Sequence, residues 1–509
     1  MKLRIFLLSL FITSAVTPLS AFALELEVDW SAFVSNDMRV SVAAHETPDI
    51  YRNDATAGLS LRAGLLPHRL RFVGDLRFVW TGFSKDMEFE DLTTRNGVAP
   101  WYLESDSAYI EVLEILPWLD LRVGRQIVSW GAADMFNPTN NLNALDLEDP
   151  LAFGTTIANQ MIRLDFSPGG GNFTMTAVWV PVFQPAQLPS TGMLIVGDVM
   201  GEFPFVDSSV RLEAEKLRNI YLRNGDNFEV MTPDVHVNMP AFSLKNSQFG
   251  ARAQWLIGTV DTSVSYYLGR SSLPTSRNSY STQESAGTFN NGTPVMRVMT
   301  DVELYYPKKQ VLGFDFAGEI PFLDDMGFWF EGAVVFPEEV KMTFDVTKVV
   351  PTARVIEGHV VRGTPFFKCT AGLDYTIAKR LLVVGQFIHG FPDEFGVDAL
   401  ENYWMAMGEI KFLQERLTLR NVFMGEIPHD DEDMNLDEDG DGQVESLARG
   451  ATDDGRIGSF VYYPEMVVRP LDGLEFALGA YLRWGHKESK FAMDAAGPPL
   501  VYLRAKASF

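Results

Sequence analysis

Two groups of residues have types and spacing that could do chemistry. The first is Asp437-Glu438-Asp439-Gly440-Asp441-Gly442-Gln443-Val444-Glu445. Asp437, Asp439 and Asp441 match positions one, three and five of a D-x-D-x-D-G calcium loop; Gly442 supplies the turn and Gln443 can offer its carbonyl. Glu445 falls at position nine, but Ala448 stands at twelve, where an EF-hand has its bidentate Glu. Ca²⁺ would therefore need a further ligand, Glu445 or Asp453. Without metal the same run is a solvated acidic loop. The second group is a set of charged and amide side chains: Arg71, Asp75, Arg77, Arg122, Arg125, Gln126, Arg163, Asp165, Arg252, Arg504 and Lys506. Most alternate with apolar residues, which gathers them on one face of their strands. Both signs occur, with Asp315, Glu331 and Glu409 among further acids. Such a mixed-charge wall fits a modestly selective channel or a plugged barrel better than a dedicated anion pore. Enzyme signatures are missing: no H-E-x-x-H, G-x-S-x-G, Walker A or strand-linked G-x-G-x-x-G appears.

The elements that position these residues are strands. In the last segment, Val501, Leu503, Ala505, Ala507 and Phe509 alternate with Tyr502, Arg504, Lys506 and Ser508. Leu70–Trp80, Phe249–Trp255, Val260–Leu268, Phe367–Tyr375 and Phe476–Trp484 repeat the pattern. Each is about ten residues long, the length with which a tilted strand crosses a bilayer. A soluble sandwich also alternates. Here, however, the apolar sets often end in Trp or Tyr, as an interfacial girdle does, and connections alternate between short and long. Short turns fall at 66–68, 117–118, 167–170, 378–380, 414–415 and 470–473; long stretches fall at 36–54, 84–100, 131–157, 184–246, 271–294, 337–363 and 427–456. The expected fold is an all-β transmembrane antiparallel barrel, with short periplasmic turns and long external loops. Both termini on one side require an even number of spans. Counting Val295–Tyr306 as a span would put 337–363 on the wrong side, so it belongs to an external loop. About eighteen strands remain, with sixteen as the alternative. Within 184–246, a Ser-capped stripe of Val210, Ala214, Leu217 and Tyr221 predicts a helix over 209–222, either plugging the pore or lying on its rim.

Lys2 and Arg4, an apolar core from Ile5 to Val16, and Ala21-Phe22-Ala23 read as a signal peptide over 1–23, leaving one barrel domain over 24–509. Losing its two cations takes the formal charge from −25 to −27. So acidic a chain is a poor nucleic-acid binder. Cys369 is the only cysteine, so no intrachain disulfide can form.

The densest stretch is Gly124-Arg125-Gln126-Ile127-Val128-Ser129-Trp130-Gly131, followed by Asp134 and Asn137-Pro138. This G-R-Q-x-x-x-W-G run resembles an uncharacterised family of large Gram-negative outer-membrane porin-like proteins. Gly313-Phe314-Asp315-Phe316-Ala317 is similar to that family's G-x-D-F-A strand. The resemblance implies a barrel spanning most of the mature chain, with a part in moving small or hydrophobic molecules. The terminal Phe509 resembles the signature read by the outer-membrane barrel assembly machinery. The expected partners are thus the lipid bilayer, that machinery and a small or hydrophobic solute, with channel function expected. The alternative is a plugged barrel serving surface binding or structure. One strand breaks the pattern. If Leu121, Val123 and Ile127 face lipid, Arg125 should too, at about 2–4 kcal/mol at the midplane but about 0–1 near an interface. A β-bulge at Gly124 would turn it inward beside Arg122 and Gln126, to contact a solute or to pair with Asp75 or Asp165.

Overall fold

The computed structural model describes residues 27–43, 48–66, 69–82, 91–152, 154–169, 172–189, 204–223, 228–231, 233–288, 294–430, 456–485, 489–493 and 496–509. The expected signal segment 1–23 and the calcium-loop residues Asp437, Asp439, Asp441, Gln443 and Glu445 lie outside them.

Eighteen spans form one antiparallel sheet. They are β1 Glu27–Ser41, β2 Asp49–Leu66, β3 Leu70–Trp80, β4 in two pieces (Trp101–Glu104 and Ala108–Leu116), β5 Leu119–Gln126, β6 Asn159–Phe166, β7 Phe173–Val180, β8 Gln248–Ile257 and β9 Val260–Arg270. There follow β10 Lys308–Ile320, β11 Met326–Pro337, β12 Phe366–Ile377, β13 Leu381–His389, β14 Asn402–Phe412, β15 Leu417–Glu426, β16 Ser459–Leu471, β17 Leu474–Gly485 and β18 Leu500–Ser508. Both pieces of β4 pair with β3 and count as one interrupted span. Each span pairs with the next, and β1 pairs with β18 from Phe33↔Ser508 to Ser41↔Leu500. That last ladder closes the barrel. Closure is what lipid demands, because an open edge would leave backbone groups without partners.

The alternation does the rest. Leu59, Leu76, Ile110, Leu312, Leu373 and Leu503 are exposed on the outer face, an apolar belt only a bilayer can cover. Trp80, Trp101, Trp404 and Trp484, all exposed, sit at the end of their spans away from the tight turns. They make one interfacial girdle, with Phe460 stacked on Trp484 at 5.1 Å. At the other end the turns are tight: Ile320 pairs with Met326 and Ile377 with Leu381, and Asp324-Asp325 and Ala378-Lys379 take positive φ to reverse the chain.

Of the long connections, one follows expectation and one overturns it. Val295–Tyr306 is no span: Pro294–Tyr305 pairs with Thr275–Thr288 in a separate six-stranded sheet between β9 and β10. Val340–Asp345 and Ile356–Val361, from the connection after β11, join that sheet. Helix α1, Ser208–Arg223, packs Val210, Ala214 and Leu217 against Met342, Phe344 and Ile356 of it. The helix therefore belongs to the rim structure rather than to a plug. The stretch 131–157, expected as an external loop, is the correction: it turns into the barrel.

Candidate functional site in the lumen

Residues 127–158 leave β5 and return to β6, neighbouring spans, yet they touch the wall far from both. Arg39 of β1 holds Asp149 through Nη1 and Nη2 at 2.6 and 2.7 Å. Tyr463 of β16 donates to the Pro150 carbonyl at 2.7 Å. Thr370 of β12 donates to the Phe136 carbonyl at 3.0 Å, and Gln386 of β13 to that of Asp134 at 3.1 Å. A segment bound to β1, β16, β12 and β13 at once crosses the lumen. Its neck is pinned by Asn143, which accepts from Val128 N–H at 2.8 Å and donates to the carbonyls of Gln126 and Ile157.

The central anchor is Glu331 of β11, with no exposed surface. Its carboxylate accepts five hydrogen bonds: from the N–H groups of Ala132, Ala133 and Thr139, from Asn137 Nδ2 and from Thr139 Oγ1, at 2.7–3.2 Å. Little secondary structure forms in this segment, so its backbone donors need partners from elsewhere, and one carboxylate offers about four lone-pair sites. Gly131 has φ +108, and a Cβ there would overlap Glu331 Oε2. Gly313 on β10 leaves room for Thr139. The motif residues Gly131 and Asn137 and the G-x-D-F-A glycine therefore meet at one place. Trp130 and Leu142 are buried in the cluster around Val178, Tyr267 and Val335.

Most of the charged groups expected along the wall are paired. Arg122 and Arg71 both reach Glu111, at 2.7 and 3.5 Å. Arg163 pairs with Asp165 at 2.8 Å, Arg252 with Asp315 at 3.0 Å, and Arg504 lies 3.6 Å from Asp37. Arg77 holds Asp106 at 2.6 Å. Asp75 accepts from Asp106 N–H and from Ser107, tying together the break in β4. Lys506 lies over the Phe33 ring at 4.7 Å, and Gln126 donates to the Met161 carbonyl. These side chains shape the wall more than they offer free ends to a solute.

Arg125 departs from expectation. No residue is inserted at Gly124: pairing runs without a shift through it on both sides, and Gly124 takes φ +136 instead. Arg125 faces Ala108 and Gln160 in the register, both exposed, and not Arg122 or Gln126. Its Nε donates to the Ser105 carbonyl at 2.6 Å rather than pairing with Asp75 or Asp165. The break in β4 exposes that carbonyl, and the seat lies next to the last residue of β5, where a cation on the outer face costs little.

The inward segment separates two spaces. One, of about 470 Å³, is bounded by Phe136, Leu142, Tyr267, Phe366, Phe391 and Phe491 among others, with Lys309, Lys368 and Lys490. The other, of about 210 Å³, lies by Trp130, Arg163, Arg252 and Asp261. Burial raises the Asp134 carboxyl, and Asp374 adds to this. Burial also opposes the charge of Asp149, but the Arg39 fork outweighs it and holds that carboxyl below its ordinary range. Sequence reasoning missed Arg39, Asp149, Asn143, Lys309 and the anchoring role of Glu331. Alternation places Lys368 and Glu331 on the inner face, but no local signal links Glu331 to residues 132–139.

No curated protein matches the sequence. Among solved structures the chain is similar to OccAB1 of Acinetobacter baumannii, at 8% identity and a TM-score of 0.47 over 95% of this chain and 96% of that one. It is similar to OccK9 (OpdG) of Pseudomonas aeruginosa, at 8% identity and a TM-score of 0.47 over 95% and 98%. It is also similar to the outer membrane channel DcaP of A. baumannii, at 9% identity and a TM-score of 0.36 over 97% and 100%. A family model described as "protein of unknown function (DUF1302)" matches residues 111–453, more than half of the 509. The chain belongs to the DUF1302 family.

Proposed function

We propose that this protein is an outer-membrane channel for small or hydrophobic solutes, narrowed by residues 127–158. The observation that carries this reading is the segment laid across the lumen, bound to β1, β11, β12, β13 and β16, with a cavity on each side. A barrel of eighteen strands encloses a lumen too wide to be filled by its own wall side chains. A folded-in segment leaves room for a solute yet sets its size. The paired wall charges favour solutes of either sign little, which suits weakly charged or apolar cargo. Phe509, 72% exposed at the periplasmic end, is free to serve as the address for the assembly machinery. The acidic stretch around Asp437, Asp439 and Asp441 is a candidate calcium ligand set. Calcium-dependent protection of the whole protein from protease tests it.

Planar-bilayer recording tests the channel. Steady single-channel currents from the purified barrel are expected. A complete lack of current, persisting when Glu331 is replaced by alanine to release the segment, would favour a plugged binding protein instead.

A further inference from the structure

The larger cavity carries an imbalance of charge. Its surface is mostly aromatic and aliphatic: Phe136, Leu142, Tyr267, Phe366, Phe391 and Phe491. Two ammonium groups from neighbouring parts of the wall enter it, Lys309 of β10 and Lys368 of β12. Lys309 Nζ donates to Asn141 Oδ1 at 2.7 Å and lies 5.8 Å over the Tyr267 ring. Among the described residues it has no carboxylate partner. Lys368, 8% exposed, donates to the carbonyls of Phe391 and Glu394 at 2.6 and 2.5 Å. An ammonium has three donors, so each lysine keeps at least one for a further acceptor.

The acids of the same cavity are committed elsewhere. Asp149 is held by Arg39 and Glu148 lies 3.3 Å from Arg52. Asp393 takes Lys490 at 2.6 Å. Glu394 accepts from Phe391 N–H, from Glu401 N–H and from the Tyr403 hydroxyl, and lies 3.6 Å from Lys490. Asp146 is turned to its own backbone, accepting from Glu148 N–H at 3.2 Å. A cation in apolar surroundings is costly until an anion and hydrogen bonds answer it. The missing partner is therefore a negative group attached to an apolar body. A single charge suffices: Arg270, also in the lining, spends its guanidinium on the Tyr305 hydroxyl, the Tyr306 carbonyl and Asn246 Oδ1, whereas Lys309, with Asn141 alone, keeps donors to spare.

We infer that this cavity is a binding site for a singly charged organic anion with an aryl or alkyl body, its headgroup on Lys309 and Lys368 and its body among Phe136, Phe366 and Phe391. The inference rests on reading the lumen as a solute route and names the class of solute held there. Volume agrees: ligand sites are about 300–1,000 Å³, and this cavity is about 470 Å³. The headgroup can be a carboxylate or a sulfonate, since both present the same charge and acceptor oxygens.

The test uses the full barrel in lipid nanodiscs and three probes that differ only at the head: 4-phenylbutyrate, 4-phenylbutanol and 4-phenylbutylammonium. Binding is read by calorimetry, with 4-phenylbutanesulfonate as a fourth arm to separate the two anions. The wild type is expected to bind the anions about tenfold or more tightly than the alcohol, the weight of one charge-assisted hydrogen bond. The ammonium should bind most weakly. Lys309→Gln should erase the preference for anions, and Lys309→Arg should keep it. Equal binding of alcohol and anion by the wild type would overturn the site, as would an unchanged preference in Lys309→Gln. Conductance is recorded on the same preparations. Currents without anion binding sink the site alone; anion binding without currents sinks the channel reading and leaves the site.

Discussion

Two connections of similar length, Gln126 to Asn159 and Arg270 to Lys308, take opposite routes. The second satisfies its backbone largely within sheet: Thr275–Thr288 and Pro294–Tyr305 pair along nearly their whole length, and strands of neighbouring connections flank them. It stands in a sheet separate from the barrel, shared with strands of two other connections, and only its edge borders the larger cavity. Among the described residues the first has only the two-residue pairing Ala144–Leu145 with Thr156–Ile157, plus one bridge from Asp146 to Gln187. Local turns and its own asparagines meet part of its other donors and acceptors, and side chains of the barrel wall, Glu331, Thr370, Gln386 and Tyr463, meet others. The same need that closes the barrel therefore decides which connection enters it. The contrast also separates their chemistry. The outer sheet is held by its own ladder and by exposed pairs such as Arg354 with Glu213; the inner segment hangs on a few buried charges.

That contrast can be broken at its anchor. Glu331→Ala removes the acceptor for five donors, each costing about 1–3 kcal/mol if left unmet. The segment should leave its seat and single-channel conductance should rise several-fold, while the barrel stays folded on gels. An unchanged conductance would mean that the other contacts suffice. Gly131→Ala should act in the same direction but less. Its φ of +108 and its closeness to Glu331 make alanine cost about 1 kcal/mol or more. Noisier, partly enlarged currents are expected, and wild-type currents would show that the anchor tolerates the shift.

Acid should sharpen the difference. The Asp149 carboxyl sits below its ordinary value in the folded protein, since Arg39 outweighs burial. Its contribution is therefore present above about pH 4, the unfolded value, and is lost as pH falls through the depressed one. Conductance should step up only below about pH 4, and Asp149→Asn should abolish the step. A step of equal size in that variant would place the titration elsewhere. The smallest effect is expected outside: Arg354→Ala breaks a pair on an exposed arginine, so neither conductance nor the melting temperature should move measurably.

Much of the barrel was legible. Period-two alternation in segments such as Leu70–Trp80 and Phe476–Trp484 marks strands wet on one face and oily on the other. Parity then excludes Val295–Tyr306 as a span. The candidate site was legible only in part. The motif Gly124–Gly131 pointed to the right stretch, but its meaning did not lie in Arg122, Arg125 and Gln126. It lay in Gly131 and Asn137, which matter through Glu331, some two hundred residues away. Arg125 was misplaced because a glycine in a strand invites a bulge, whereas here the chain absorbs it as one unusual φ.

By itself the sequence determined the strands, their faces and an even count near eighteen, because alternation and turn spacing are local and a bilayer imposes them on every span. Only the tertiary structure decided that residues 127–158 cross the lumen and that Lys309 is left facing an apolar cavity. Both depend on which distant side chains answer a charge or a backbone donor, and nothing local in the sequence carries that pairing.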